Sequence, residues 1–227
     1  QRQPVSLLVV DEAHCISQWG FDFRPAFQDL GRVAAQLGDP TVLALTATAP
    51  AQVVEDIVGL LGIPRAGVVD TGVWRPNLHY RAEHAAREAD KAQRLPDLVH
   101  ESAGSGIVYT ATVKAAEAAH AALAAAGESV GLYHGRLAAG RRQASQDAFM
   151  GGQLRVMVAT NAFGLGIDKP DIRFVIHHQL PPSLDAYYQE SGRAGRDGER
   201  ADCTLLFVEG GKAVQRFFLA AKLPDVK

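Results

Sequence analysis

Apolar and polar positions alternate along the chain in blocks that predict strands followed by helices. Short apolar runs at Leu7–Val10 and 41–45 have the length and β-branched content of buried parallel strands. Apolar residues recur at helical spacing over 27–37 and 50–61. A further short strand is predicted at 68–69.

The second half of the chain repeats this alternation with more elements. We predict strands at 106–109, Val130–Tyr133, 154–159, 173–176 and 203–208, and helices at 90–102, 113–126, 138–150 and Leu184–Ser191. Strands that alternate with helices of this length indicate parallel sheets flanked by helices. The predicted fold class is therefore α/β. The segment 71–77, TGVWRPN, is interpreted as the crossing between two domains.

The composition narrows the class of protein further. The chain has 227 residues, of which 47% are hydrophobic and 21% charged, which suits one large or two small globular domains. A formal net charge of −2 argues against a general basic coat for duplex DNA, but not against a narrow groove that follows one strand. No apolar run approaches the roughly 18 residues of a membrane span. Cys15 and Cys203 form no C-x-x-C pair, so neither a disulfide framework nor a zinc site is predicted.

Two adjacent carboxylates, Asp11 and Glu12, follow the first predicted strand. In open α/β sheets, ligands bind at this carboxyl end. A carboxylate there can hold Mg²⁺ together with substrate phosphates, and its neighbour can orient or deprotonate a water molecule. We therefore assign Asp11 to Mg²⁺ and Glu12 to catalysis, with an ordinary polar turn as the structural alternative.

An aromatic segment follows these carboxylates almost at once. Trp19, Phe21 and Phe23 fall within five residues, interleaved with glycine and charge. Such a segment makes a poor core and a poor linker, but it suits a surface on which bases stack.

DEAH followed by CISQWGFDFRP resembles the Walker B motif and the aromatic-rich loop of RecQ-type DNA helicases. The family usually has histidine where this chain has Phe21, a change that base stacking tolerates but that removes a hydrogen bond. The resemblance implies that DNA binding and its coupling to hydrolysis involve His14, Ser17, Gln18, Trp19, Phe21, Phe23 and Arg24.

Two further segments resemble motifs of the same family. The triplet 46–48, Thr-Ala-Thr, resembles motif III, whose hydroxyl groups can bond across to the Asp11–Glu12 loop. The segment 154–174 resembles motif V, whose glycines let backbone N–H groups approach phosphate or ribose. The family often has asparagine at the position of Asp168. The resemblance assigns coupling to Thr46, Thr48 and Thr160, and nucleotide binding to Gly166 and Asp168.

The segment 187–198, YYQESGRAGRDG, resembles motif VI in the version with glutamine at its head. An arginine that reaches the γ-phosphate neutralises charge in the transition state, an effect worth about 10³–10⁵ in rate in GTPases. We take Arg196 as the first choice for this arginine finger, Arg193 as the second, and Gln189 as a further catalytic residue. The structural alternative is a solvated, charged turn.

The sequence G-x-x-x-x-G-K-[ST], which cradles phosphates in P-loop enzymes, is absent. In the family it lies before DEAH, so the resemblance implies a fragment. Residues 1–72 would be the C-terminal part of a first RecA-like domain, 73–210 the second RecA-like domain, and 211–227 the start of a following region.

The resemblance implies an ATP-dependent, 3′-to-5′ DNA helicase that uses ATP and Mg²⁺ on single-stranded and forked duplex DNA. The expected setting is a bacterial-type cytoplasm, in association with the nucleoid and without a membrane partner. The chain alone is expected to be inactive because it lacks the phosphate cradle. An RNA helicase of the same superfamily and a non-catalytic nucleic-acid-binding fragment both stay open.

Overall fold

The computed structural model describes residues 4–17, 24–47, 49–164 and 167–208. The chain divides into two compact units, residues 1–74 and 75–227. No helix in the described ranges is both long enough and apolar enough to cross a membrane.

The first unit is built on a parallel pair of strands, in which Leu7 lies opposite Thr41. Its elements are β1 (Leu7–Val10), β2 (Thr41–Ala44), α1 (Leu30–Gln36), α2 (Ala51–Leu61) and 3₁₀ helices at Ala13–Ile16, Pro25–Asp29 and Arg65–Gly67. Val53 and Ile57 of α2 pack with Val10 in the core. Val9 is 50% exposed, so β1 is buried on one face only, where the sequence predicts a fully buried strand.

The second unit contains a six-stranded sheet in which every neighbouring pair is parallel. Its strands are β3 (Leu78–His84), β4 (Ser105–Tyr109), β5 (Val130–Tyr133), β6 (Val156–Ala159), β7 (Ile172–His177) and β8 (Ala201–Phe207), in the spatial order β3-β8-β7-β4-β6-β5. Its helices are α3 (Glu88–Glu101), α4 (Val113–Ala125), α5 (Ala139–Met150) and α6 (Leu184–Ser191). The predicted α/β class is confirmed.

Two apolar clusters form the core of the second unit. Leu98 of α3 and Leu123 of α4 pack in one cluster, and Phe149 of α5 packs with Phe163 in the other. The strand residues of β4, β6 and β7 that face these clusters are almost entirely inaccessible to solvent. Burial on both faces explains why these strands are short apolar runs in the sequence.

Two sequence predictions differ from the structure, and one strand was missed. No strand forms at 68–69, where Val69 is 83% exposed and the chain is leaving the 3₁₀ helix Arg65–Gly67 without a neighbouring strand to pair with. The predicted helix 27–37 begins as the 3₁₀ helix Pro25–Asp29 before α1. Strand β3 was not predicted, although His79, Arg81 and Glu83 alternate with Leu78, Tyr80 and Ala82 at the two-residue period of a strand. It lies at an edge of the sheet, and Leu78 is its one buried residue.

Candidate nucleotide and nucleic-acid site residues

The turn after β1 holds the two predicted active-site carboxylates. Asp11 is exposed, and its Oδ1 accepts a hydrogen bond of 2.9 Å from the backbone N–H of Glu12. Glu12 has a left-handed backbone, with φ 52° and ψ 42°, and its side chain is 43% exposed. A positive φ is uncommon for a residue other than glycine, and such strain concentrates at functional sites. The turn thus presents two adjacent carboxylates at the carboxyl end of a parallel strand.

His14 connects this turn to the one after β2. Its Nδ1 lies 3.3 Å from Glu12 Oε2 and 3.1 Å from Thr46 Oγ1, and the side chain is buried. Ala13 N–H donates to the carbonyl of Leu45 at 2.9 Å, which fixes the two turns against each other. The predicted link from Thr46 to the carboxylate loop therefore runs through His14.

The aromatic segment is anchored at both ends. Ser17 is buried, and its hydroxyl donates to Asp56 on α2. At the other end, Arg24 N–H donates to the carbonyl of Cys15 at 3.0 Å, which brings Arg24 close to the residues that precede the segment. The predicted coupling residues Gln18, Trp19, Phe21, Phe23 and Thr48 lie outside the described residues.

In the second unit, Arg196 lies on the turn that follows α6 and forms an ion pair with Asp168. Arg196 Nη1 and Asp168 Oδ1 are 2.7 Å apart, and the side chains are 38% and 82% exposed. A solvent-exposed pair of this kind is typically worth only about 0–1 kcal/mol. Arg196 can therefore leave Asp168 for an anionic ligand at little cost.

The Arg193 side chain forms its hydrogen bond within the second unit. Its Nη1 donates to the carbonyl of Gly164 at 2.5 Å, and its Nε is buried without a partner among the described residues. A Cβ at Gly164 would lie 2.5 Å from Arg193 Nη2, so the close approach depends on glycine. Arg193 thus ties the turn after α6 to the turn after β6, which favours Arg196 as the arginine that is available to a ligand.

The remaining predicted residues of this unit lie near the same two turns. Thr160 is buried directly after β6, and its carbonyl accepts from Phe163 N–H at 3.0 Å. Gln189 is half-buried within α6. Gly166 lies outside the described residues.

Sequence reasoning missed a cavity at the carboxyl ends of β4 and β7, where apolar and polar side chains meet. It measures about 140 Å³, and its lining includes Tyr109, Thr110, Asn161, His177, Gln179 and Glu190. His177 Nε2 and Glu190 Oε2 are 2.8 Å apart, and burial raises the pKa of the Tyr109 hydroxyl above its usual range. The pairing of His177 with a glutamate on the following helix has no signature in either segment alone.

No cluster of three histidine, cysteine or carboxylate side chains suited to a metal occurs in the described parts of the chain. This is compatible with Mg²⁺, which is commonly held by one or two carboxylates together with substrate phosphates. The exposed carboxylate of Asp11 at the end of β1 fits such a role.

Comparison with known proteins identifies the family. Residues 2–57 match the DEAD/DEAH box helicase family, and residues 90–198 match the helicase conserved C-terminal domain. The probable ATP-dependent DNA helicase RecS of Bacillus subtilis is 46% identical over 93% of this chain and 43% of its own length. The ATP-dependent DNA helicase RecQ of the same organism is 44% identical over 95% of this chain and 36% of its own. The chain belongs to the RecQ-like helicases. It spans less than half the length of these two relatives.

Solved structures show the same architecture. Saccharomyces cerevisiae Dbp5 bound to RNA and ADP BeF3 has a TM-score of 0.75 and 25% identity, over 96% of this chain and 58% of that one. A DEAD box protein from Methanococcus jannaschii, at 21% identity and a TM-score of 0.61, shares the fold over 96% of this chain and 58% of its own. The predicted tandem RecA-like fold is therefore confirmed.

Proposed function

We propose that this chain is the part of an ATP-dependent DNA helicase that carries its hydrolysis carboxylates and its arginine finger. The longer protein is called the parent protein below. The observation that carries the proposal is the identity of 44–46% over nearly the whole chain with relatives named ATP-dependent DNA helicases. Within this reading, residues 1–72 belong to the first RecA-like domain and residues 73–210 form the second.

The geometry of the first unit supports a role in hydrolysis. Asp11 would hold Mg²⁺, which neutralises phosphate charge when bound. Glu12 would orient the attacking water and take up its proton. His14, 3.3 Å from Glu12, keeps that carboxylate beside the end of β1.

The second unit would supply the groups that stabilise the transferring phosphoryl group. Arg196 is exposed, and Asp168 is its one ion-pair partner among the described residues, so it can turn to the γ-phosphate. Arg193 ties the same turn to Gly164, and Gln189 would be a further catalytic residue. Asp168 and Gly166 would contact the nucleotide.

Coupling to DNA would run through the aromatic loop. Ser17 and Arg24 fix its two ends. His14, three residues before Ser17, contacts Glu12 and Thr46. A base that stacks on this loop would thus displace the hydrolytic carboxylate through very few bonds. Thr48 and Thr160 would contribute to the same coupling.

The substrates would be single-stranded and forked duplex DNA, traversed in the 3′-to-5′ direction. A bacterial-type cytoplasm, in association with the nucleoid, is part of the same proposal. The test measures ATP hydrolysis by the parent protein without nucleic acid, with single-stranded DNA and with single-stranded RNA. Unwinding is measured on forks with a 3′ or a 5′ tail. DNA stimulation together with unwinding from the 3′ tail is expected, and Glu12→Gln serves as the inactive control.

An RNA helicase is the second candidate, because the Dbp5 structure that shares this fold is bound to RNA. The lower identity of that protein, 25% against 44–46%, favours DNA. Stimulation by RNA equal to or greater than that by DNA would overturn the DNA assignment.

A further inference from the structure

Arg75, near the end of the crossing 71–77, holds the backbone of the turn that carries Arg196. Its Nη1 donates to the carbonyl of Gly192 at 3.2 Å, and its Nη2 donates to the carbonyls of Ala194 at 3.0 Å and Gly195 at 2.5 Å. These three carbonyls follow directly on the end of α6. Residues 192–199 are called the arginine turn below.

Asn77 adds a second set of bonds to the same turn. Its Nδ2 donates to the carbonyls of Gly195 and Glu199, both at 2.8 Å, and its own carbonyl accepts from Ala201 N–H at 3.0 Å. The segment that enters the second unit therefore bonds the arginine turn near its start, at its middle and at its end.

Arginine is suited to bonding several backbone carbonyls beyond a helix end. Carbonyls after the last turn of a helix lack intrahelical partners and carry partial negative charge, so a cation there is favourable. A guanidinium presents five N–H donors in a rigid fork, whereas a lysine ammonium is a point charge on a flexible stem. Arg75 can thus bond carbonyls of three residues at once, which lysine cannot reproduce in the same geometry.

Gly195 shows how closely the partners fit. Its φ is +55°, and a Cβ there would lie 2.5 Å from Asn77 Nδ2 and 2.7 Å from the carbonyl oxygen of Glu199. Both the backbone conformation and the approach of Asn77 therefore require glycine at this position.

We propose that Arg75 and Asn77 are positioning residues for the arginine finger, an inference that rests on the proposed function for the role of Arg196. The Arg196 side chain is exposed, and in the described part of the chain it pairs with the exposed Asp168 alone, so the backbone of the arginine turn sets where its guanidinium lies. In enzymes, a misplacement of about 1 Å can cost about 100-fold in rate. Loss of the Arg75 bonds would therefore reduce turnover without removing any group that touches the nucleotide.

The first arm of the test needs no activity and uses the 227-residue chain. Hydrogen exchange is followed in peptides that cover the arginine turn, where Gly195 N–H donates to Ile172 O at 2.9 Å and Gly198 N–H to Gly195 O at 3.0 Å. Arg75→Ala should raise exchange about tenfold or more in this turn and leave β4 and β6 unchanged. Arg81→Ala is the matched control, because Arg81 also lies on the entry to this unit but donates to Thr204.

The second arm measures ATP hydrolysis by the parent protein. Arg75→Ala should lower kcat about 100-fold, while KM for ATP and Kd for single-stranded DNA stay within about threefold of the wild-type values. Arg75→Lys should keep the melting temperature and recover kcat only in part, because one ammonium cannot replace the fork. A purely structural role would move the melting temperature and all three constants together.

The outcomes separate this inference from the proposed function. A wild-type parent without DNA-stimulated hydrolysis would overturn the proposed function, and the exchange arm would still decide whether Arg75 holds the turn. Unchanged exchange in Arg75→Ala, or a wild-type kcat in a folded Arg75→Lys protein, would overturn the positioning role. Global unfolding of both variants would also overturn it, because Arg75 would then hold the unit rather than the turn.

Discussion

Arg196 Nη1 and Asp168 Oδ1 lie 2.7 Å apart and join the turn after α6 to the segment that precedes β7. Both side chains are exposed, so Asp168 holds the guanidinium only weakly and leaves it available to another anion. By contrast, Arg193, three residues earlier, donates to Gly164 and is largely used inside the unit. The two arginines of the same short motif therefore have different tasks.

The first prediction concerns Arg196. In the parent protein, Arg196→Ala should lower kcat for ATP about 10³-fold or more, because the γ-phosphate loses the cation that stabilises its transition state. DNA binding should be retained. Steady-state hydrolysis and fluorescence anisotropy with labelled single-stranded DNA measure the two effects. A kcat within about threefold of wild type would reject Arg196 as the finger.

The second prediction concerns Glu12. Glu12→Gln should preserve nucleotide binding and abolish hydrolysis, because an amide keeps the shape of the side chain but cannot accept the proton of water. Equilibrium binding of ATP and single-turnover hydrolysis in the parent protein check this. If hydrolysis persists at more than a tenth of the wild-type rate, Glu12 does not act as the base.

The elements that sequence reasoning located to the residue have clear local signals. Strand Val130–Tyr133 is a short apolar run. Helix Leu184–Ser191 is preceded by Ser183, an N-cap whose hydroxyl accepts a hydrogen bond from Ala186 N–H. The edge strand β3 has a weaker signal. Its polar and apolar residues alternate, but Tyr80 and Ala82 are exposed like their polar neighbours, and its partner β8 lies more than 100 residues away.

The site residues also differ in whether the sequence carries a local signal for them. Glu12 and Arg196 stand in recognisable strings, so the sequence alone identified them as candidates. The contacts of Arg75 with Gly192 and Ala194 join residues 117 and 119 positions apart. No periodicity or local spacing encodes such a pairing, which exists only once the sheet brings β3 and β8 together. The left-handed backbone of Glu12 was equally invisible, because glutamate carries no preference for it.

The third prediction concerns the 227-residue chain on its own. It should hydrolyse ATP at no more than the background rate, because its sequence contains no G-x-x-x-x-G-K-[ST] loop to cradle the phosphates. Phosphate release by the purified chain, with and without single-stranded DNA, tests this. Steady turnover that Glu12→Gln abolishes would show that this chain holds the phosphates by another route.

The fourth prediction compares two glycines of the arginine turn. Gly195 and Gly198 both have positive φ, +55° and +86°, but a Cβ at Gly198 would meet nothing within 4 Å. Gly198→Ala should therefore cost only the conformational strain, about 1 kcal/mol of unfolding free energy. Gly195→Ala should cost clearly more, because Asn77 and Glu199 must also move. Urea unfolding of the two variants beside wild type checks the order, and equal losses would contradict the close fit at Gly195.

The last prediction concerns His178, which directly follows β7. Burial, with a smaller contribution from the nearby Lys91, lowers the pKa of its imidazole from about 6.5 to about 4, while Glu88 opposes the shift. His178 is therefore neutral in the folded chain at pH values where the unfolded chain already binds a proton. The free energy of unfolding should be independent of this group above pH 6.5 and should fall as the pH drops from 6.5 to 4. The loss should amount to roughly 3 kcal/mol, since each unit of pKa difference corresponds to about 1.4 kcal/mol.

His178→Gln removes the titrating group and keeps a polar side chain of similar size. Urea unfolding followed by circular dichroism at several pH values between 4 and 7 should show a weaker pH dependence in this variant than in wild type. His79→Gln, on the exposed side of β3, controls for the substitution itself. Lys91 and Glu88 form an ion pair of 2.8 Å, so a change in this pair would also alter the free energy of unfolding at every pH. The decisive quantity is therefore the difference in slope between pH 6.5 and 4. Identical slopes in His178→Gln and wild type would show that folding does not change the pKa of His178.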